Sequence, residues 1–219
     1  MVSVLFGLIA VAEIALLGLV IALRRRQPDW TLSLLVLVIL ALIYDNVVVA
    51  IGSTLGEGSL LRSLSLPRYV THALLVPLLI MVAVGLGRHH GVRFLAGRVV
   101  PAAFGALTLL LIAAGAWADI VTLDLEPTRY ADTLRYTNAA ANGPPVPAVI
   151  AILVMIGIGV ALLVRARWPW LLAGGVVMFA AAGAGAAVLW LSNLGELVLI
   201  LTVWLTAARP QPREALIAA

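Results

Sequence analysis

The chain of 219 residues contains no cysteine and no lysine, and only 11% of its residues are charged. Without cysteine, disulfides, thiolate catalysis and sulfur-ligated metals are excluded. Without lysine, so is every mechanism built on a Schiff base. The scarcity of charge goes with 63% hydrophobic residues and a mean hydropathy of +1.15. A soluble domain of this length needs far more polar surface, so the composition describes an integral membrane protein. All 14 basic residues are arginine, and the net charge is +4. They fall in short clusters between apolar runs rather than along one face, which excludes nucleic acid as the partner and leaves the lipid bilayer.

At roughly 20 residues per crossing, the apolar runs predict an all-α bundle of seven transmembrane helices forming a single domain over residues 1–219. The expected spans are approximately Val2–Leu23, Trp30–Ile51, Tyr69–Gly87, Val99–Val121, Val146–Val164, Pro169–Leu191 and Leu194–Ala208. The first run has its arginines after it rather than before and has no clear small-residue cleavage site, so it reads as a retained helix. Arginine placement then sets the orientation. Arg24, Arg25 and Arg26, then Arg88, Arg93 and Arg98, then Arg165 and Arg167, with Arg209 and Arg213 in the tail, fall on one set of connections. The other set holds only Arg62, Arg68, Arg129 and Arg135. The expected arrangement is an outside N-terminus and a cytoplasmic C-terminus in the bacterial inner membrane, with Trp30, Trp168 and Trp170 at the inner interface. Arg88, Arg93 and Arg98 are expected to contact anionic lipid phosphates, and the adjacent His89-His90 pair is a weak metal motif.

Two outer connections, residues 52–68 and 122–145, are longer than the rest. The first is rich in glycine and serine with Leu60, Leu61, Leu64 and Leu66, and suits a polar lid or a surface-lying or re-entrant segment. The second carries Asp124, Glu126, Arg129, Asp132 and Arg135, and is read as a polar lid with room for a short helix before Gly143-Pro144-Pro145. Small residues crowd the sixth span (Gly174, Gly175, then Ala180 to Ala187 with Gly183 and Gly185), where they permit close helix approach.

Against this apolar background the most informative element is Tyr44-Asp45-Asn46, inside the second span. A carboxylate there costs ~2.5–3.5 kcal/mol on insertion scales, so it is expected to face protein or water and to mark function. Asp45 lies some 15 residues past Trp30, roughly 22 Å of rise from the inner boundary, in the outer third. Asn46 adds an amide and Tyr44 a hydroxyl. In the next span Arg68 and His72 are four apart on one face, at a similar depth because that helix runs the other way. Asp119 ends the fourth span on the outer side, and Glu196 begins the seventh there. Glu13 lies nearer mid-membrane and needs a partner. Asn193-Leu194-Gly195-Glu196 also matches a capping box, which would give Glu196 a structural role.

Three chemistries fit this clustering in the outer half. The groups can bind the polar part of a small molecule or lipid headgroup, or relay protons through Asp45 and His72, within transport. Glu13, Asp45, His72, Asp119 and Glu196 can instead supply ligands to a metal that activates water in an intramembrane lipid hydrolase, with Asp45, His72 and Glu13 the first candidates. Or Asp45 and Arg68 form an ion pair that locks helices in a structural or assembly subunit.

Two resemblances accompany these residues. Tyr44-Asp45-Asn46 through Gly52, then Pro67-Arg68 and His72-Ala73-Leu74-Leu75-Val76-Pro77-Leu78-Leu79, resembles a family of uncharacterised bacterial and plastid multi-pass membrane proteins, which implies no established activity. Arg68-Tyr69 followed by Pro77-Leu78-Leu79 is similar, more weakly, to the third helix of microbial rhodopsins, which also have seven helices and an outside N-terminus. In that alignment Thr71 stands where the counterion carboxylate would be and the neighbourhood of Ala208 where the retinal lysine is needed, so covalently linked retinal does not follow.

Overall fold

A computed structural model describes residues 1–185 and 187–210 of the chain. Arg213 of the tail and Ala186 of the small-residue run lie outside the described residues. The protein is an all-α, multi-pass membrane bundle. Its helices are α1 (Val2–Arg26), α2 (Trp30–Leu55), α3 (Ser59–His89), α4 (Val99–Val121), α5 (Val146–Ala166), α6 (Trp170–Gly185) and α7 (Trp190–Ala208). Among the described residues six of these are long and apolar enough to cross a membrane, and α6 is shorter, at 16 residues.

Helix boundaries follow local chemistry. The Asp29 carboxylate accepts from the Thr31 amide (2.7 Å) and caps α2. At the far end of α2, Gly56 takes φ +74 and ends the helix, a conformation glycine adopts without a Cβ penalty. The chain needs only Gly56, Glu57 and Gly58 to reverse. α3 then begins at Ser59, ten residues before the expected Tyr69, so residues 59–68 are helix rather than an open connection. The reason lies in one buried stripe: Leu61, Ser65 and Arg68 follow at helical spacing and all three are buried. Within α3, Pro77 removes an amide, and Val76–Leu78 tightens into a 3₁₀ turn before the helix resumes at Leu79. α7 starts at Trp190 rather than Leu194, because the Ala187 and Val188 amides both close on the Ala184 carbonyl (3.0 and 2.9 Å) and reverse the chain early.

The helices close into a ring. α1 packs on α2, α2 on α3, α3 on α5, α5 on α6, α6 on α7, and α7 returns to α1. α3 is the central element: from Leu79 to Gly87 all but Met81 are buried. α4 stands outside this ring, packed mainly on α3, and is the least enclosed of the six long spans. Close approach depends on glycine where helices touch through backbone. A Cβ on Gly159 of α5 would lie 2.6 Å from the Leu172 amide nitrogen of α6.

Residues 122–145 contain a β-hairpin rather than a short polar helix. β1 (Leu125–Tyr130) and β2 (Thr133–Asn138) pair antiparallel, with Tyr130 opposite Thr133 and Leu125 opposite Asn138. Ala131, at φ +51, and Asp132 form the two-residue turn. Leu134 and Tyr136 alternate onto one face and pack with Val48 and Leu61 in a second small core at this end of the bundle. The Tyr69 hydroxyl donates to the Tyr136 carbonyl (3.2 Å) and accepts from the Asn138 amide (3.0 Å). The Asp132 carboxylate, carried on the hairpin tip, caps α1 by accepting from the Val2 amide and the Ser3 hydroxyl (2.7 Å each). The hairpin is thereby fastened to α1, α2 and α3 together.

Gly52 shows how tightly it sits, since a Cβ there would collide with the Leu134 carbonyl. Gly52→Val is expected to cost about 1–3 kcal/mol by overpacking and to lower the thermal midpoint in detergent. Gly7→Ala, with open space around it, should leave that midpoint unchanged or raise it. Equal midpoints for Gly52→Val and the parent chain would show that the hairpin is not seated on α2.

Candidate functional site

Asp45 and Asn46 are consecutive on α2, so their side chains diverge by about 100° around the helix and serve different partners. The Arg68 Nε of α3 donates to Asp45 Oδ1 at 2.7 Å. Asn46 turns toward α1, and its Nδ2 donates to the Glu13 carboxyl (3.0 and 3.1 Å) and to its own Leu42 carbonyl (3.1 Å). Asn193 of α7 joins the two halves. Its Nδ2 donates to Asn46 Oδ1 (3.1 Å) and to Asp45 Oδ2 (3.3 Å). The result is one polar chain, Glu13–Asn46–Asn193–Asp45–Arg68, tying four helices together. Glu13 and Asn46 are fully buried, so the partner Glu13 requires is an amide rather than an arginine.

Asn193 therefore does not cap α7. It lies in the helix interior, three residues past Trp190, and its side chain reaches across to α2. The capping-box reading of Asn193 and Glu196 is corrected on that ground. Glu196, one turn further along the same face, lines a cavity instead.

That cavity, about 300 Å³, opens at the hairpin end of the bundle. Asp45 lines it from α2, Arg68 and His72 from α3, Asp119 from α4, and Asn193 and Glu196 from α7. Five of the sequence candidates thus converge: Asp45, Arg68, His72, Asp119 and Glu196. Asp119 belongs to a wider π-type turn, Trp117–Val121, a form that recurs at functional positions in helices. Asn46 and Glu13 stand one step behind the cavity wall. Tyr44 is elsewhere; its hydroxyl donates to the Leu64 carbonyl (2.8 Å) and links α2 to α3.

Arg135, Asn193 and Tyr69 line the cavity too and were not among the sequence candidates. Arg135 looks like one charge among several in a polar connection until β2 places it, in alternation with Leu134 and Tyr136, beside Arg68. Burial first, and then the neighbouring Arg68 charge, push the Arg135 guanidinium below its ordinary range. Two arginine nitrogens here are buried without a hydrogen-bond partner among the described residues, Arg68 Nη1 and Arg135 Nε. Arg68 as a whole is only 7% exposed.

The metal candidates Asp45, His72 and Glu13 are not brought together, because Glu13 is held by Asn46 behind the wall. Among the described residues no three histidine, aspartate or glutamate side chains converge in a metal-ligating group. At the opposite end of the bundle the vicinal histidines point to separate partners. His89 Nε2 pairs with Asp29 Oδ2 at 2.9 Å, and His90 Nε2 lies 2.9 Å from the Thr206 carbonyl. Arg88, Arg93 and Arg98 are exposed at that end, and Arg209 stacks on the Trp168 ring, 4.6 Å from its centroid.

No family model, no curated protein and no solved structure matches the chain.

The ion pair makes a quantitative expectation. Arg68→Ala leaves Asp45 facing a cavity without its cation, a change that costs ~3–5 kcal/mol for fully buried pairs. The Asp45 side chain is 28% exposed, so the loss should fall at the low end of that range. Asp45→Asn combined with Arg68→Gln should recover most of it in thermal unfolding of the detergent-solubilised protein. Additive losses in the double variant would mean that the two side chains do not act as a pair.

Proposed function

We propose that this chain is a binding or transport protein of the bacterial cytoplasmic membrane whose cavity, in the outer half, receives the polar group of a small molecule or lipid. The observation that carries the reading is the pair of arginines on one cavity. Buried polar groups in folded proteins are nearly always hydrogen-bonded, and exceptions call for a partner. Among the described residues Arg68 Nη1 and Arg135 Nε both lack one. A phosphate or carboxylate is the group that planar guanidinium donors bind best, through charge-assisted bonds. His72, Asp119 and Glu196 supply further donors and acceptors around the same space, and the Asp45–Arg68 pair holds one guanidinium in place. The outer location follows from charge: the arginine-rich connections all fall at the end away from the hairpin, which the positive-inside rule assigns to the cytoplasm.

The lipid-hydrolase alternative has Asp45, His72, Asp119 and Glu196 on one cavity, but among the described residues no three of them form a group that could hold a metal ion. A purely structural role accounts for the Asp45–Arg68 pair but leaves Arg135 without a purpose.

Binding is tested by titrating the purified protein with phosphoethanolamine and following its thermal midpoint. A saturable rise is expected, lost in Arg135→Gln, while that variant keeps the parent midpoint without ligand. No rise in the parent chain, together with no small molecule or lipid retained through purification by mass spectrometry, would overturn the reading. Orientation is tested separately, and the absence of cysteine makes the experiment clean. In spheroplasts a membrane-impermeant maleimide should label Asn142→Cys directly and Arg93→Cys only after permeabilisation. The reverse pattern would invert the topology.

A further inference from the structure

The polar cavity does not end in protein. A second space of about 380 Å³ adjoins it, and the two share His72, Val76, Asp119 and Pro145. The second is walled by Ala73 and Pro77 of α3, by Leu111, Ala114 and Ala118 of α4, and by residues 141–148, the connection and first turn of α5. Its character is the opposite of the first. Apart from His72 and Asp119 at the junction and Asn142 in the connection to α5, its lining carries no polar side chain.

Position makes this groove informative. α4 stands outside the helix ring, packs mainly on α3 and makes only slight contact with α5. Ala114 and Ala118, four residues apart on the groove side, are exposed. From Leu111 to Asp119 the helix rises about 12 Å, most of the ~15 Å depth of one hydrocarbon leaflet. A charged pocket and an apolar groove of leaflet depth therefore meet at His72 and Asp119.

Charge narrows the headgroup. Arg68 and Arg135 offer donors to an anion on the α3 and hairpin side. Asp45 already holds Arg68, and Asp119 and Glu196 remain as carboxyl groups on the same cavity. A wholly anionic headgroup would meet the Asp119 carboxylate. A dipolar one would place its phosphate at the arginines and its ammonium at the carboxyl groups.

We infer that the ligand is a zwitterionic phospholipid-class amphiphile, taken sideways from the outer leaflet between α4 and α5, with its headgroup in the polar cavity and an acyl chain in the groove. The inference rests on the reading of the polar cavity as a ligand site. It adds the source of the ligand, the route by which it arrives and the charge it carries.

The test compares probes with and without a chain on the full protein in detergent, by native mass spectrometry and competition. The probes are lysophosphatidylethanolamine, glycerophosphoethanolamine (the same headgroup without a chain) and lysophosphatidylglycerol. Lysophosphatidylethanolamine is expected to bind more tightly than lysophosphatidylglycerol. Ala114→Trp, and independently Ala118→Trp, should weaken it by about tenfold by filling the groove, while leaving glycerophosphoethanolamine binding unchanged. Both positions face outward, so each variant should keep the parent thermal midpoint. Arg135→Gln should weaken both ethanolamine probes. If the tryptophan variants bind lysophosphatidylethanolamine as the parent does, or if lysophosphatidylglycerol binds as tightly, the inference fails and the cavity reading survives. If neither ethanolamine probe binds the parent chain, the inference fails; if in addition lysophosphatidylglycerol does not bind and no small molecule or lipid is retained through purification, the cavity reading fails with it.

Discussion

A side-chain chain of hydrogen bonds, Glu13–Asn46–Asn193–Asp45–Arg68, is the constraint on which this bundle rests. Lipid supplies no hydrophobic effect to hold helices together, because the tails are as apolar as leucine; packing and polar contacts must do it. Each member of the chain is costly in hydrocarbon without a partner, and the cost vanishes only when α1, α2, α3 and α7 stand in one arrangement. Asn46 is the hinge of that logic. Its amide nitrogen donates toward Glu13 and its carbonyl oxygen accepts from Asn193, so both ends of one small side chain are used, each on a different helix.

The same network sets the properties of the cavity. Asp45 is held from two sides, by Arg68 and by Asn193, and so presents a fixed edge to the open space. Arg68 is fixed in turn, with part of its guanidinium left over. The hairpin adds Arg135 from above, and it can do so because Asp132 anchors its tip to α1 while Gly52 lets β2 lie against α2. Structural pairing and the ligand recognition proposed above draw on one arrangement. A guanidinium locked by one carboxylate is preorganised to bind another anion with its remaining donors.

Much of the architecture was legible in the order of residues, and the reasons are local. Apolar runs of bilayer length and clusters of arginine between them report helix number and alternation directly. Asp45, Arg68, His72, Asp119 and Glu196 were recognisable because each is an ionisable group near the same end of a span, and they do line one cavity. Other features were not legible. Residues 59–68 carry serine, arginine and proline in place of an apolar run, yet they form helix, since Leu61 and Ser65 bury one narrow stripe against α2 and the hairpin. Leu125–Asn138 holds charges that suit a polar helix, and only the pairing of two strands across Ala131 and Asp132 makes it a hairpin. Asn193 fits a capping box by spacing alone, and its true partners are some 147 residues away in the chain.

The sequence by itself determined that this protein is a multi-pass membrane bundle, how many helices it has, and near which end of each span its rare charges fall, because hydropathy and spacing act over single spans. Which charge meets which was decided only by the tertiary structure. Glu13 found an asparagine, Asn193 left its helix end for α2, Arg135 came to rest beside Arg68, and the apolar groove of α4 met the polar cavity at His72 and Asp119. Each of these is a contact between segments far apart along the chain. Their geometry is fixed by how seven helices and one hairpin pack at once, and no window of sequence contains that information.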